Sequence, residues 1–265
     1  MAIPEDVQLL AEDMLAYGPV PNGSERVVDS RYVVFMWGDY TFAEATTVGR
    51  LRLKSDEVEE AVLEVRALLA DRGRPASLWE IGGSARPPDL VERLIGLGLS
   101  PDREEPGAAG MALCRPPDGH PSDVVVTKVE TVGDFRIAVD IACEAFGMDE
   151  GDREHMQSRA ESEFEEQRRL GQSDTFLAWL DGQPVGRAGA GYSESAVTLW
   201  GGATLPSARG RGAYRALVAA RWEEAVRRGK PALVTQAGKM SRPILRSLGF
   251  EEVARITRLL DRPGA

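Results

Sequence analysis

The sequence predicts an α/β (α+β) protein of two related halves, each a mixed, mostly antiparallel sheet flanked by helices. Three observations carry this expectation. A strand, strand, helix, strand order occurs twice along the 265 residues. The same helix-to-strand turn follows the helix each time, as Arg72-Gly73-Arg74-Pro75-Ala76 and as Arg228-Gly229-Lys230-Pro231-Ala232. Between the two copies, Pro116, Pro117, Gly119 and Pro121 form a segment that sustains neither a helix nor a central strand.

In the first half, strand-like runs cover residues 31–37 and 42–51. A helix is expected over 56–71, where Val58, Val62, Val65, Leu68 and Leu69 recur at helical spacing. Gly73 ends it and 77–81 reads as a strand. In the second half, residues 175–180, 184–190 and 196–205 alternate with turns and read as antiparallel strands. A helix over about 210–228 follows, with Tyr214, Leu217, Val218, Arg221 and Ala225 on one face and Gly229 as its cap. A strand (232–235), a short helix (241–248) and a last strand (253–260) complete the order. A second landmark also recurs: residues 90–99 (LVERLIGLGL) resemble residues 244–250 (ILRSLGF). Two landmarks in the same order read as an internal duplication. The expected domains are therefore 1–116 and 124–265, joined by a linker over 117–123.

Composition narrows the class. A 43% hydrophobic and 28% charged chain is ordinary for a globular protein, and each half is long enough to bury its own core. No apolar run approaches the roughly 20 residues that span a bilayer, and the opening MAIPEDVQ is acidic where a secretory leader is basic. With only Cys114 and Cys143, in different halves and without metal-ligand spacing, the expectation is a cytoplasmic protein with no bound metal and no membrane partner. The formal net charge of −10 disfavours nucleic acid, whose phosphates need a basic surface; it would draw cationic substrates, or it serves solubility alone.

The chemistry is written at residues 204–217 (TLPSARGRGAYRAL). A strand ends at Thr204 and Leu205, a proline breaks it, and Arg209-Gly210-Arg211-Gly212-Ala213 opens an amphipathic helix. Helix N-termini expose unpaired N–H groups and partial positive charge, which suits a pyrophosphate. Glycines let backbone approach phosphate oxygens, and Arg209, Arg211 and Arg215 add fixed positive charge. No GxxxxGK[ST] is present, and the third glycine of a dinucleotide fingerprint is missing.

This segment resembles motif A of the GNAT (GCN5-related) N-acetyltransferases, [QR]-x-x-G-x-[GA], through Arg209 and Gly212; Tyr214 replaces the small sixth residue. Residues 241–250 (SRPILRSLGF) look like motif B, and the likeness covers about 124–260. The first half resembles a degenerate second copy, because residues 51–58 (LRLKSDEV) stand in place of the phosphate loop without a glycine. The resemblance implies an acetyl-CoA-dependent N-acyltransferase working by direct transfer in a ternary complex. It implies that Gly210, Arg211, Gly212, Ala213 and Tyr214 cradle the pyrophosphate, flanked by Arg209, Arg215 and Ser241. It also implies that backbone at Thr204 and Leu205 pairs with the pantetheine arm. The acceptor is expected to be a primary amine of a small molecule or peptide.

Acid–base residues are less plainly marked. An amine attacks only when neutral, so a base or water relay is required. Leu245 stands where the family's acidic tyrosine aligns, which leaves Tyr192 and Tyr214 as candidate acids and Glu194, in a turn, as candidate base. The acid-rich stretch Glu161, Glu163, Glu165 and Glu166 reads either as an attractor of cationic amines or as a solvated helix face. Cys143 lies on an apolar helix face and reads as core. The alternative function is a non-catalytic acyl-CoA sensor or protein-interaction module. The sequence assigns no oligomeric state.

Overall fold

The computed structural model describes all residues except 1, 21–22, 39, 41, 120–122 and 264–265; the middle of the expected linker thus lies outside the described residues. The chain divides into two compact units. The N-terminal unit is Pro4–Met111 with Gln236–Ile244 and Glu252–Ala265, and the C-terminal unit is chiefly Ala112–Thr235 with Leu245–Glu251. The last strand therefore groups with the N-terminal unit, where the expected boundary had assigned it to the second half. Strand pairing decides this, because residues 257–261 pair antiparallel with residues 77–81.

The N-terminal unit contains α1 (Glu5–Glu12), α2 (Met14–Tyr17), β1 (Glu25–Val28), β2 (Val33–Met36), β3 (Thr46–Gly49), α3 (Val58–Asp71), β4 (Ser77–Ile81), α4 (Leu90–Gly96), β5 (Ser100–Pro101) and most of β6 (Gly107–Leu113). In the C-terminal unit lie β7 (Val124–Lys128), α5 (Val132–Phe146), α6 (Glu150–Leu170), β8 (Ser173–Leu180), β9 (Gln183–Tyr192), β10 (Val197–Thr204), α7 (Ala213–Arg227) and the start of β11 (Leu233–Ala237). Then come α8 (Ser241–Ser247) and β12 (Glu251–Asp261). In the C-terminal unit the order is β11-β10-β9-β8-β7, parallel at β10/β11 and antiparallel elsewhere. In the N-terminal unit β1, β2 and β3 are antiparallel, β3 and β4 are parallel, and β12 follows antiparallel to β4. Both units are mixed, mostly antiparallel sheets with helices.

The duplication is visible at hydrogen-bond level. After α3, Gly73 adopts φ 65°, its N–H donates to Ala70 O, and Arg74 N–H donates to Leu69 O at 2.9 Å. After α7, Gly229 adopts φ 70°, its N–H donates to Val226 O, and Lys230 N–H donates to Ala225 O at 2.9 Å. Each is a Schellman cap, which needs a left-handed residue that glycine adopts without Cβ strain. The second landmark repeats in the same way. Gly98 and Gly249 are left-handed, and Leu99 and Phe250 donate to Leu94 and Leu245.

Helix α3 buries Val58, Ala61, Val62, Val65 and Leu69 against Val34, Val48 and Trp79. Helices α5 and α6 close one face of the second sheet through Phe135, Val139, Cys143, Phe164 and Leu177. Both are capped: Thr131 and Asp149 accept from Asp134 N–H and Asp152 N–H, and left-handed Gly147 and Gly171 end them. The expected strand over 42–51 is shorter in the structure. Residues 43–45 form a 3₁₀ turn, and the strand stops at Arg50, whose φ is 51° and whose N–H donates to the Asp13 carboxylate at 2.8 Å. Among the described residues, no helix is long and apolar enough to cross a membrane.

Candidate functional site

The site grows out of β10. This strand pairs with β11 only at Val197–Leu233 and Thr198–Val234, and Thr235 Oγ1 adds a bond to Leu199 O. Beyond that point residues 199–204 continue along β9 alone. Parallel neighbours that part company leave one edge of backbone N–H and C=O groups open. At the end of β10, Leu205 N–H donates to Val185 O at 2.9 Å and Leu205 O accepts from Ala208 N–H. The expected pantetheine contact at Leu205 is therefore already used within the chain. Strand alternation turns the Thr204 backbone groups the other way, toward the open edge. The Thr204 hydroxyl oxygen is buried without a hydrogen-bond partner among the described residues.

After a 3₁₀ turn at Pro206–Ala208, residues 209–212 wrap the N-terminus of α7. Gly210 and Gly212 adopt φ 81° and 90°, values that permit the tight turn and exclude most side chains. A Cβ built on Gly210 would meet nothing within 4 Å. The first bond within this turn of helix is Ala216 N–H to Gly212 O, and no side chain caps the helix. The amides of Gly210, Gly212, Ala213, Tyr214 and Arg215 thus have no partner among the described residues. Three arginines lie in the same stretch. Arg209 donates to Ala145 O near the end of α5 at 3.4 Å, Arg211 pairs with exposed Asp181 at 3.0 Å, and Arg215 donates to Ser247 Oγ at 2.7 Å. Ser241, by contrast, belongs to the N-terminal unit.

Tyr214 departs from the motif, and the structure explains why it fits. Its ring stands over the backbone of Gly202, where a Cβ would lie 2.9 Å from Cε2. The bulk missing from the strand is supplied by the helix. Burial raises the Tyr214 hydroxyl pKa and nearby Arg221 opposes the shift.

The two other acid–base candidates lie elsewhere. Tyr192 pairs with Val197, the first residue of β10, whereas the loop follows the last. At roughly 3.3 Å per residue the two ends are about 20 Å apart. Tyr192 donates its hydroxyl to Asp174, which also binds Lys128 at 2.6 Å, and the Arg228 guanidinium lies 3.4 Å from the Tyr192 ring centroid. Burial and then the Asp174 bond raise its pKa. Glu194 is exposed in the turn at that same distant end. The structure thus brings Tyr214 to the loop and does not bring Tyr192 or Glu194. Much of the acid-rich run on α6 is paired: Glu161 with Arg136, Glu163 with Arg159 and Glu166 with Arg169. Cys143 is fully buried, with its thiol pKa raised by burial.

Sequence reading missed a β-bulge and its arginine. Trp200 pairs with Gly189 and Ala203 with Arg187, so Gly201 and Gly202 face a single residue of β9. Arg187 Nη1 donates to Gly201 O at 2.9 Å. On α7, Arg221 is wholly buried and donates to Leu217 O and Gly189 O at 2.8 and 3.1 Å. Desolvation lowers both guanidinium pKa values to about 10, so both stay charged at neutral pH. The only sequence signal was the Gly-Gly pair inside a strand pattern.

A half-unpaired strand running through a glycine–arginine loop into a helix without a side-chain cap presents oriented N–H donors and positive charge, features that suit an anionic group. Residues 136–250 match the model of the acetyltransferase (GNAT) family. No curated protein matches the chain. Among solved structures, it is similar to a GCN5-related N-acetyltransferase from Kribbella flavida (TM-score 0.72, 20% identity, 100% of this chain and 98% of that one). It is also similar to a tandem GNAT protein from the clavulanic acid biosynthesis pathway (0.63, 15%, 100% and 90%). A third is a GCN5-related N-acetyltransferase from Sphaerobacter thermophilus (0.59, 18%, 90% and 84%). These likenesses establish a tandem GNAT-like fold across the chain.

The N-terminal copy keeps the fold without the cradle. Leu51 and Leu53 are buried in its core, Arg52 N–H donates to Arg31 O, Leu53 N–H to Arg86 O and Lys54 N–H to Glu57. Between β3 and β4, the Asp13 carboxylate fills the space beside Gly49, with Oδ1 3.4 Å from a Cβ there.

Proposed function

We propose that the protein is an acyl-CoA-dependent N-acyltransferase, with acetyl-CoA as donor and the C-terminal unit as its active half. The observation that carries this is the set of unpartnered amides at Gly210 and residues 212–215, with Arg209, Arg211 and Arg215 in the same stretch. These groups suit a pyrophosphate: oriented donors, a helix N-terminus and fixed positive charge, with no carboxylate on Arg209 or Arg215 among the described residues. When bound, acetyl-CoA supplies an acetyl group activated as a thioester. The chain's own residues do the rest. The open edge of β10 at Thr204 holds an extended polar arm by backbone pairing. The Gly201–Gly202 bulge frees backbone from the ladder next to the point of transfer, where an N–H can stabilise a developing oxyanion. Positioning in a ternary complex supplies much of the acceleration, and Tyr214 shapes the wall of the site.

A second reading, an acyl-CoA sensor without turnover, is favoured by one observation. Leu245 is buried where the family's acidic tyrosine aligns, and Tyr192 and Glu194 stand at the far end of β10. Calorimetric titration of acetyl-CoA into the wild type and Gly212→Glu tests the cofactor site. Saturable binding that is lost in the folded variant is expected, and no binding by the wild type overturns both readings. Turnover of any amine then selects the transferase.

A further inference from the structure

Arg187 carries a hydrogen-bonding edge that the protein leaves empty. Its neighbour Gly186 faces Leu217 of α7, with 3.4 Å from a built Cβ to Leu217 Cδ1. Strand alternation therefore puts Arg187 on the opposite face, where Cys143 of α5 and Glu163 of α6 are the titratable groups acting on it. Its Nη1 passes over Gly201, occupying the space a Cβ would take, and donates to Gly201 O. Among the described residues, Nε is enclosed without a hydrogen-bond partner, and Nη2 has none either. No carboxylate lies within ion-pair distance among the described residues; Glu163 itself is held by Arg159 at 3.0 Å.

The Nε–Nη2 edge presents two parallel N–H donors, which match the two oxygens of a carboxylate. Other arginines of this chain use it so. Arg66 binds both oxygens of Asp261 at 2.9 and 2.8 Å, and Arg169 and Arg227 bind both oxygens of Glu166 and Glu224. At Arg187 the same edge stands beside the bulge, one residue pair from Thr204. A partly enclosed cation with no counter-ion is costly unless something completes it.

We propose that Arg187 anchors a carboxylate of the acceptor, so that the substrates are amines bearing a carboxylate, amino acids among them. This rests on the transferase reading and names its substrate class. It runs against the cationic acceptor that the net charge suggested.

The test pairs α-amino acids, β-alanine and 4-aminobutyrate with their carboxamides, using acetyl-CoA as donor and the wild type, Arg187→Gln and Arg187→Lys as enzymes. The wild type is expected to favour the carboxylates about tenfold or more in kcat/KM, the size of a paired charged contact. Arg187→Gln should erase this preference through KM while acetyl-CoA affinity, read by calorimetry, stays within about threefold. Arg187→Lys, which keeps the charge but not the two-donor edge, should retain part of the preference. Carboxamides used as well as carboxylates by the wild type, or a preference that survives in folded Arg187→Gln, overturns the proposal. If the wild type binds no acetyl-CoA, the transferase reading falls by itself. Titration of the same acceptors without cofactor then decides Arg187: saturable carboxylate binding lost in Arg187→Gln supports the anchor, and its absence from the wild type refutes it.

Discussion

The Tyr214 ring of α7 and the bare α-carbon of Gly202 in β10 are complementary: helix bulk fills the space that strand bulk would take. Restoring a side chain at 202 must displace the ring. Gly202→Ala should cost about 1–3 kcal/mol, as overpacking does. Tyr214→Ala should relieve that clash, so a double-mutant cycle by denaturant unfolding should give a coupling of about 1 kcal/mol or more. Additive effects would mean that the ring and the strand are independent.

Arg211 divides its charge between the loop and Asp181, a pair in which both side chains are exposed. Asp181→Asn releases the guanidinium for an incoming phosphate. Acetyl-CoA affinity should rise about two- to threefold at low salt, with the gain shrinking as salt screens it. Titrations at two ionic strengths check both parts.

Tyr192 is held by Asp174 and stacked under Arg228, far from the loop. Tyr192→Phe should leave kcat within about twofold and lower stability by about 1–2 kcal/mol, because Asp174 loses a donor. A large fall in kcat with unchanged stability would return Tyr192 to the transfer step.

Burial pushes the Asp13 carboxyl up to about 6 from 3.8, against the opposing Arg50 amide. Because the folded value is the higher one, this group's stabilising contribution is complete below about pH 3.8. It fades as pH rises through about 6. The whole effect is about 3 kcal/mol at most. Asp13→Asn should therefore match the wild type near pH 4 and exceed it by about 1–3 kcal/mol at pH 7, measured by urea unfolding across that range.

How much of this was legible in the sequence follows from chain distance. The cradle at residues 209–215 is written in contiguous residues: a strand, a proline, two glycines that adopt positive φ, and a helix with a packed face. The duplication was readable for the same reason, since each Schellman cap is set by residues a few positions apart. The N-terminal copy's missing cradle also showed, as a loop with no glycine and two leucines that bury.

Pairings across the sheet were not legible, because register depends on partners far away in sequence. Antiparallel register sends Tyr192 to the start of β10 and Arg187 to its bulge, so a candidate acid lies far from the loop while an unremarked arginine lies beside the bulge. Packing of α7 on β10 brought Tyr214 to Gly202, and a separate pairing set β12 against β4. The sequence by itself determined a two-copy α/β chain with one glycine–arginine loop opening a helix, since local backbone chemistry suffices for that. Only the tertiary structure decided which side chains stand beside the cradle, because that is settled by the pairing and packing of distant strands.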